Sequence, residues 1–122
     1  MNYDKLCKDV LKLEEQIRFA GIYTQSGEIK GVGMRENVQS LLNPEETKMS
    51  LYYASLRWKT GKTLSHRMGR ERYSITEFEK VKLISIPIED KYLLLVSTET
   101  KVDHDKAIKE IFKLIETHSK EN

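Results

Sequence analysis

A chain of 122 residues, 39% hydrophobic and 33% charged, is long enough for one core without disulfide or metal staples. Its 21 Lys and Arg against 19 Asp and Glu leave a formal charge of +2, so no global field draws polyanions and any basic site must be local. The single Cys7 excludes an internal disulfide and fits a reducing compartment.

Residues 4 to 15, DKLCKDVLKLEE, read as an amphipathic helix with Leu6, Val10 and Leu13 on one stripe and Cys7 beside it. RFAGIYT and SGEIKGVG read as two strands joined at a tight turn, where Gly27 supplies the positive φ. Asn43-Pro44-Glu45-Glu46 is a helix start, with Asn43 as N-cap, Pro44 in the first turn and two acids at the positive end of the dipole. That helix is expected to run to about His66 and close at Gly69. RERYSITEF, VKLISIPI and KYLLLVST follow as strands with hairpin spacing, broken at Glu79-Lys80 and Glu89-Asp90. YLLLV does not alternate and should lie centrally, covered on both faces, while Pro87 belongs at a margin. DHDKAIKEIFKLIETH closes the chain as a helix capped by Asp103, with Ala107, Ile108, Ile111, Phe112 and Ile115 inward.

The order α-β-β-α-β-β-β-α with hairpins between strands forbids a parallel sheet. The expected class is α+β: a five-stranded antiparallel sheet with helices packed on it. Residues 1–118 are expected to form one domain, followed by a polar tail at 119–122. No apolar run approaches the roughly 18 residues of a membrane helix. The N-terminus lacks the apolar core of a signal peptide, so the expected setting is cytoplasmic.

This order and these lengths resemble the roadblock-type domain of dynein light chains, and more loosely the longin and profilin-like domains. The pieces IRFAGIYTQSGEIKGVG, LNPEETKMSLYYASLRWKTGKTL and EKVKLISIPIEDKYLLLVS also resemble a set of small archaeal proteins of the same layout. The roadblock resemblance implies a non-catalytic dimerisation and scaffolding module whose central helix and following strand pair with a second copy. It also implies partners such as small GTPases or motor complexes, and no catalytic residue.

A helical wheel of the central helix gives an independent argument for a partner. Met49, Tyr52, Tyr53, Leu56 and Leu64 form one broad apolar face, expected to meet the sheet. Leu51, Ala54, Ser55 and Trp58 form a second stripe nearly opposite, and a surface helix needs only one. The expected homodimer seam is therefore Leu51, Ala54, Ser55 and Trp58, joined by Tyr73 and Ile75 on the next strand, with Trp58→Glu giving a folded monomer.

The stretch RWKTGKTLSHRMGRER holds Arg57, Lys59, Lys62, Arg67, Arg70 and Arg72 against the single Glu71. It is not a phosphate-binding loop. A Walker loop needs glycine where Leu56 stands, and Gly61-Lys62-Thr63 falls late in a helix, at the negative end of the dipole. The six cations remain a candidate surface for an acidic partner or for nucleic acid, with Trp58 and Tyr73 available to stack bases. A small-ligand sensor is a further alternative, resting on Gly21, Gly27, Gly31 and Gly33, whose plainer reading is close packing of a twisted hairpin. His66, His104 and His118 are scattered, Asp103-His104-Asp105 lacks metal-ligand spacing, and Cys7 sits among core residues. No enzyme, cofactor or metal is expected.

Overall fold

The computed structural model describes residues 1–121. The chain runs α1 (Tyr3–Leu11), β1 (Ile17–Tyr23), β2 (Ile29–Met34), α2 (Pro44–Met68), β3 (Ser74–Glu77), β4 (Val81–Ile88), β5 (Tyr92–Glu99) and α3 (His104–Ser119). The five strands form one sheet in the order β2-β1-β5-β4-β3, with every neighbouring pair antiparallel. The expected α+β architecture is thus the observed one, and β5, which carries the non-alternating Leu93–Val96 run, is its central strand. Pro87 lies past the end of the short β3, where β4 has only β5 beside it, so its missing N–H breaks no ladder between two strands.

Helix starts follow their sequence signals. The Asn43 side chain accepts from Glu46 N–H while Glu46 accepts from Asn43 N–H, a full capping box. Asp103 caps α3 through Lys106 N–H, and Gly69 closes α2 at φ 81. The first helix stops four residues earlier than its periodicity predicts. Its end carries no glycine; the stop comes from Arg35, far along the chain. The Arg35 guanidinium donates to the carbonyls of Ile17 at 2.6 Å, Glu14 at 2.7 Å and Leu11, turning the backbone straight from helix into β1. Charge-assisted bonds of this kind are each worth about 1.5–3 kcal/mol against an unmet acceptor. Arg35→Ala is therefore expected to cost about 2–3 kcal/mol in a urea melt. Arg35→Lys should recover little of it, because one ammonium does not span three carbonyls.

The sheet has two unlike faces. On one, α1 and α3 cover Ala20, Ile22, Ile84, Ile86, Leu94 and Val96, and together they make the main core. The Nε2–Oδ2 contact of His118 with Asp9, 2.9 Å, ties α3 to α1. Glycines let α1 sit close: a Cβ on Gly31 would lie 2.7 Å from the Tyr3 backbone. The other face belongs to α2, which carries the chain from one sheet edge, β2, to the other, β3. Crossing five strands takes about 20 Å. Its 25 residues make a rod of about 37 Å, so the helix overhangs the sheet it crosses.

Candidate interaction surface

The inner side of α2 is narrow. Leu51, Ser55 and Trp58 are its buried residues, with Ala54, Lys62 and Ser65 half-buried around them. Gly61 on this side faces the Glu71 side chain, and Trp58 is buried at the wall of a cleft that Pro87 also lines. Met49, Tyr52, Tyr53, Leu56 and Leu64 point the opposite way and are 46–63% exposed. This reverses the expected orientation. Leu51, Ser55 and Trp58, expected at a dimer seam, are covered by their own chain, and the broad apolar face expected against the sheet is left in solvent. The number of apolar residues on a side therefore does not select the packed one. The adjacent tyrosines, whose hydroxyls suit water, were the sequence signal for the outer side.

Of the other predicted seam residues, Tyr73 is exposed and stacks edge-on to Phe112 at 6.2 Å, and Ile75 is half-buried against the main core. Ile75 lies on β3, which is an outer strand of the sheet and only four residues long. At the opposite edge, β2 carries α1, and the Asp4 carboxylate accepts the Val32 N–H at 3.0 Å.

The six predicted basic residues do not form one stripe. Lys62 turns inward, its Nζ 4.1 Å from the Trp58 ring centroid and 3.8 Å from Asp90. Arg72 lies over Phe112 of α3, on the other face of the sheet, at 4.8 Å. Arg70 lines a cleft beside Trp58. Arg57 and Lys59 leave the helix about 160° apart, with Arg67 between them.

The residues weighed for catalysis are also apart. His66 meets its own helix at the Thr63 carbonyl, His104 accepts from the buried Lys82 ammonium at 3.0 Å, and His118 meets Asp9. Among the described residues no group of three His, Cys, Asp or Glu is placed to hold a metal ion, and no helix is long and apolar enough to cross a membrane. The glycines weighed for ligand approach are packed instead. Gly31 and Gly33 abut the backbone of α1, and Gly21 lies between the rings of Phe19 and Tyr23.

Cys7 is wholly buried, and burial pushes its thiol from 9.0 up to about 12, helped by the nearby Asp4. It is a core residue in protonated form, which has a consequence for alkaline stability. Below pH 9 both folded and unfolded chains hold the thiol proton. Between 9 and about 12 only the unfolded chain releases it, so stability falls by up to about 1.4 kcal/mol per pH unit. Melting temperatures at pH 8 and pH 10 should differ by less in Cys7→Ala than in the wild type.

The whole chain, residues 1–122, matches the family of unknown function DUF6659. No curated protein matches the sequence. Among solved structures, a Roadblock/LC7 domain from Streptomyces avermitilis is similar with a TM-score of 0.73 at 18% identity, over 96% of this chain and 94% of that one. The gliding protein MglB from Thermus thermophilus gives 0.66 at 11% identity, over 93% and 87%. MglC from Myxococcus xanthus gives 0.65 at 11%, over 96% of each chain. These likenesses span nearly the full length of both partners and establish a roadblock fold. The chain belongs to the DUF6659 family, and the fold on which its exposed α2 stripe is displayed is that of a roadblock domain.

Proposed function

We propose that the protein is a non-catalytic interaction module that acts as a homodimer, with α2 at the seam. The observation that carries this reading is the apolar outer stripe of α2, Met49, Tyr52, Tyr53, Leu56 and Leu64, exposed directly opposite the buried stripe. A monomer seldom leaves such a surface in water, and two copies related by a two-fold axis would lay the stripes against each other. The two strand edges support the same arrangement. The β2 edge is occupied by α1, whereas β3 is short and outermost, with Tyr73 and Ile75 beside the edge it presents. Antiparallel pairing of β3 with its copy would join two sheets into one. The joined surface then offers a platform for a third protein, for which a small GTPase is the partner class that the roadblock resemblance implies. Among the neighbours, one MglB structure is described as having a tetrameric arrangement, so assembly of copies is recorded on this fold.

Light scattering at several concentrations and two ionic strengths tests the reading. Wild-type protein should show twice the 14.3 kDa monomer mass and keep it at high salt, because the seam is apolar. Leu56→Glu, on the exposed stripe, should give a folded monomer. A wild-type monomer at all concentrations would remove the homodimer.

A further inference from the structure

Lys62 is the only one of the six cations in the basic stretch that α2 turns toward its own sheet. Its ammonium lies 4.1 Å from the centroid of the Trp58 ring, within cation–π range, and Asp90 stands 3.8 Å away on the β4–β5 turn. Ring, ammonium and carboxylate border a cleft of about 590 Å³ between the C-terminal half of α2 and that turn. This volume lies in the range of small-ligand sites, roughly 300–1,000 Å³. We propose that the cleft is a receptor for an organic cation, a guanidinium or alkylammonium group on a small molecule or peptide. In the free chain, Lys62 holds the position such a cation would take. The inference does not depend on the homodimer.

Three features support the assignment. First, the sign of the site is set. The π-face of an indole is negative, and the Asp90 carboxylate stands 3.8 Å from the ammonium that lies over that ring. An anion entering beside Trp58 would face Asp90. Second, the turn that brings Asp90 there is built against local preference. Glu89 and Asp90 both have φ 56, the left-handed conformation that Asn-Gly ordinarily supplies at the centre of such a turn, which the Lys91 N–H closes on the Ile88 carbonyl at 3.1 Å. The turn therefore holds two non-glycine residues in a disfavoured conformation, with the Asp90 carboxylate beside the Lys62 ammonium. Glu89 is engaged by the Tyr3 hydroxyl at 3.0 Å, which leaves Asp90 as the carboxylate facing the cation.

Third, Lys62 is an imperfect occupant. A charge-assisted N–H···O bond is about 2.7–2.9 Å long. At 3.8 Å the Lys62 ammonium stays over the ring without completing that bond to Asp90. A planar guanidinium can lie flat on an indole and still direct an in-plane N–H at a carboxylate, whereas a compact ammonium has no flat face to stack on the ring. The Lys62 side chain is 36% exposed, so swinging it into water costs little desolvation or packing.

Trp58 is the only tryptophan, so its fluorescence reports this position alone. The experiment titrates wild type, Lys62→Ala, and Lys62→Ala with Asp90→Asn, using N-acetylarginine methylamide, tetramethylammonium chloride, and sodium chloride as the ionic-strength control. Saturable emission change is expected with the organic cations and not with sodium. Binding should be about tenfold tighter in Lys62→Ala than in wild type, and weaker again by about fivefold when Asp90 is neutralised. A preference for the arginine derivative would identify arginine side chains as the source of the cation, and parity with tetramethylammonium would identify alkylammonium ligands. Absence of a saturable change in Lys62→Ala would overturn the proposal, as would equal affinity in Lys62→Ala and wild type, or indifference to Asp90→Asn. Lys62→Ala places a strong helix former at a half-buried site, and coincident thermal melts of the three proteins confirm that all are compared folded.

Discussion

Trp58→Glu should unfold the domain instead of dissociating it. Trp58 is 3% exposed on the inner side of α2, at the wall of the cleft that Pro87 also lines. Truncating a buried tryptophan costs about 3–5 kcal/mol, and the desolvation of a carboxylate there, which Lys62 one turn on offsets only in part, adds to that. Single domains have about 5–15 kcal/mol in total, so the variant is expected to sit near or past the edge of folding at 25 °C. Leu56→Glu introduces the same charge two residues away on the opposite side of the same helix, and it should leave the melting temperature of the folded subunit nearly unchanged while halving the mass. The pair separates the two sides of α2 by one chemical change. Circular dichroism and light scattering on both variants read the outcome. A folded, monomeric Trp58→Glu would mean that α2 is rotated by about half a turn from the position described, and would return the seam to Leu51, Ser55 and Trp58.

The elements themselves were legible because their signals are local. Asn43-Pro44 with Glu46, and Asp103 before a periodic apolar run, fix two helix starts by backbone hydrogen bonds that the same few residues supply. The spacing of Glu79-Lys80 and Glu89-Asp90 fixes hairpins, and hairpins fix an antiparallel sheet. The unbroken Leu93-Leu94-Leu95 run sends apolar side chains to both faces, which only a central strand between two helix layers accommodates. What stayed hidden depends on contacts distant in sequence. Arg35 ends α1 from outside it, so no residue near Lys12 announces the stop. The two stripes of α2 were both visible, but choosing between them required knowing which side the rest of the chain covers, Leu51 at Gly27 and Trp58 at the β4–β5 turn. The cleft was partly visible in the four-residue spacing of Trp58 and Lys62; the third member, Asp90, arrives only when the β4–β5 turn folds beneath the helix.

Gly31→Val is expected to be the most damaging small substitution on the α1 side of the sheet. Gly31 is on β2, outside the left-handed region, so its requirement is space and not backbone freedom. A Cβ there would lie 2.7 Å from both the carbonyl carbon and the Cβ of Tyr3, closer than such atoms approach, and the backbone of α1 would have to lift. Overpacking of this kind costs about 1–3 kcal/mol for one added methyl and more for a branched side chain. The displacement would also reach the Tyr3–Tyr92 ring contact at 5.4 Å, the Tyr3–Glu89 hydrogen bond at 3.0 Å and the Asp4 bond to Val32 N–H at 3.0 Å. Gly31→Ala should therefore lose about 2–3 kcal/mol in a urea melt and Gly31→Val more. Gly33→Ala, whose added carbon lies 3.0 Å from Cys7, should lose less than Gly31→Ala. Equal stability of Gly31→Ala and wild type would show that α1 is not seated on β2 as described. The last of the three contacts also links stability to assembly. With α1 lifted, Val32 N–H and the rest of the β2 edge are open to pairing, and the sheet has two growing edges instead of one. Gly31→Val should consequently aggregate with rising concentration, whereas Leu56→Glu, which leaves α1 in place, should stay soluble as a monomer.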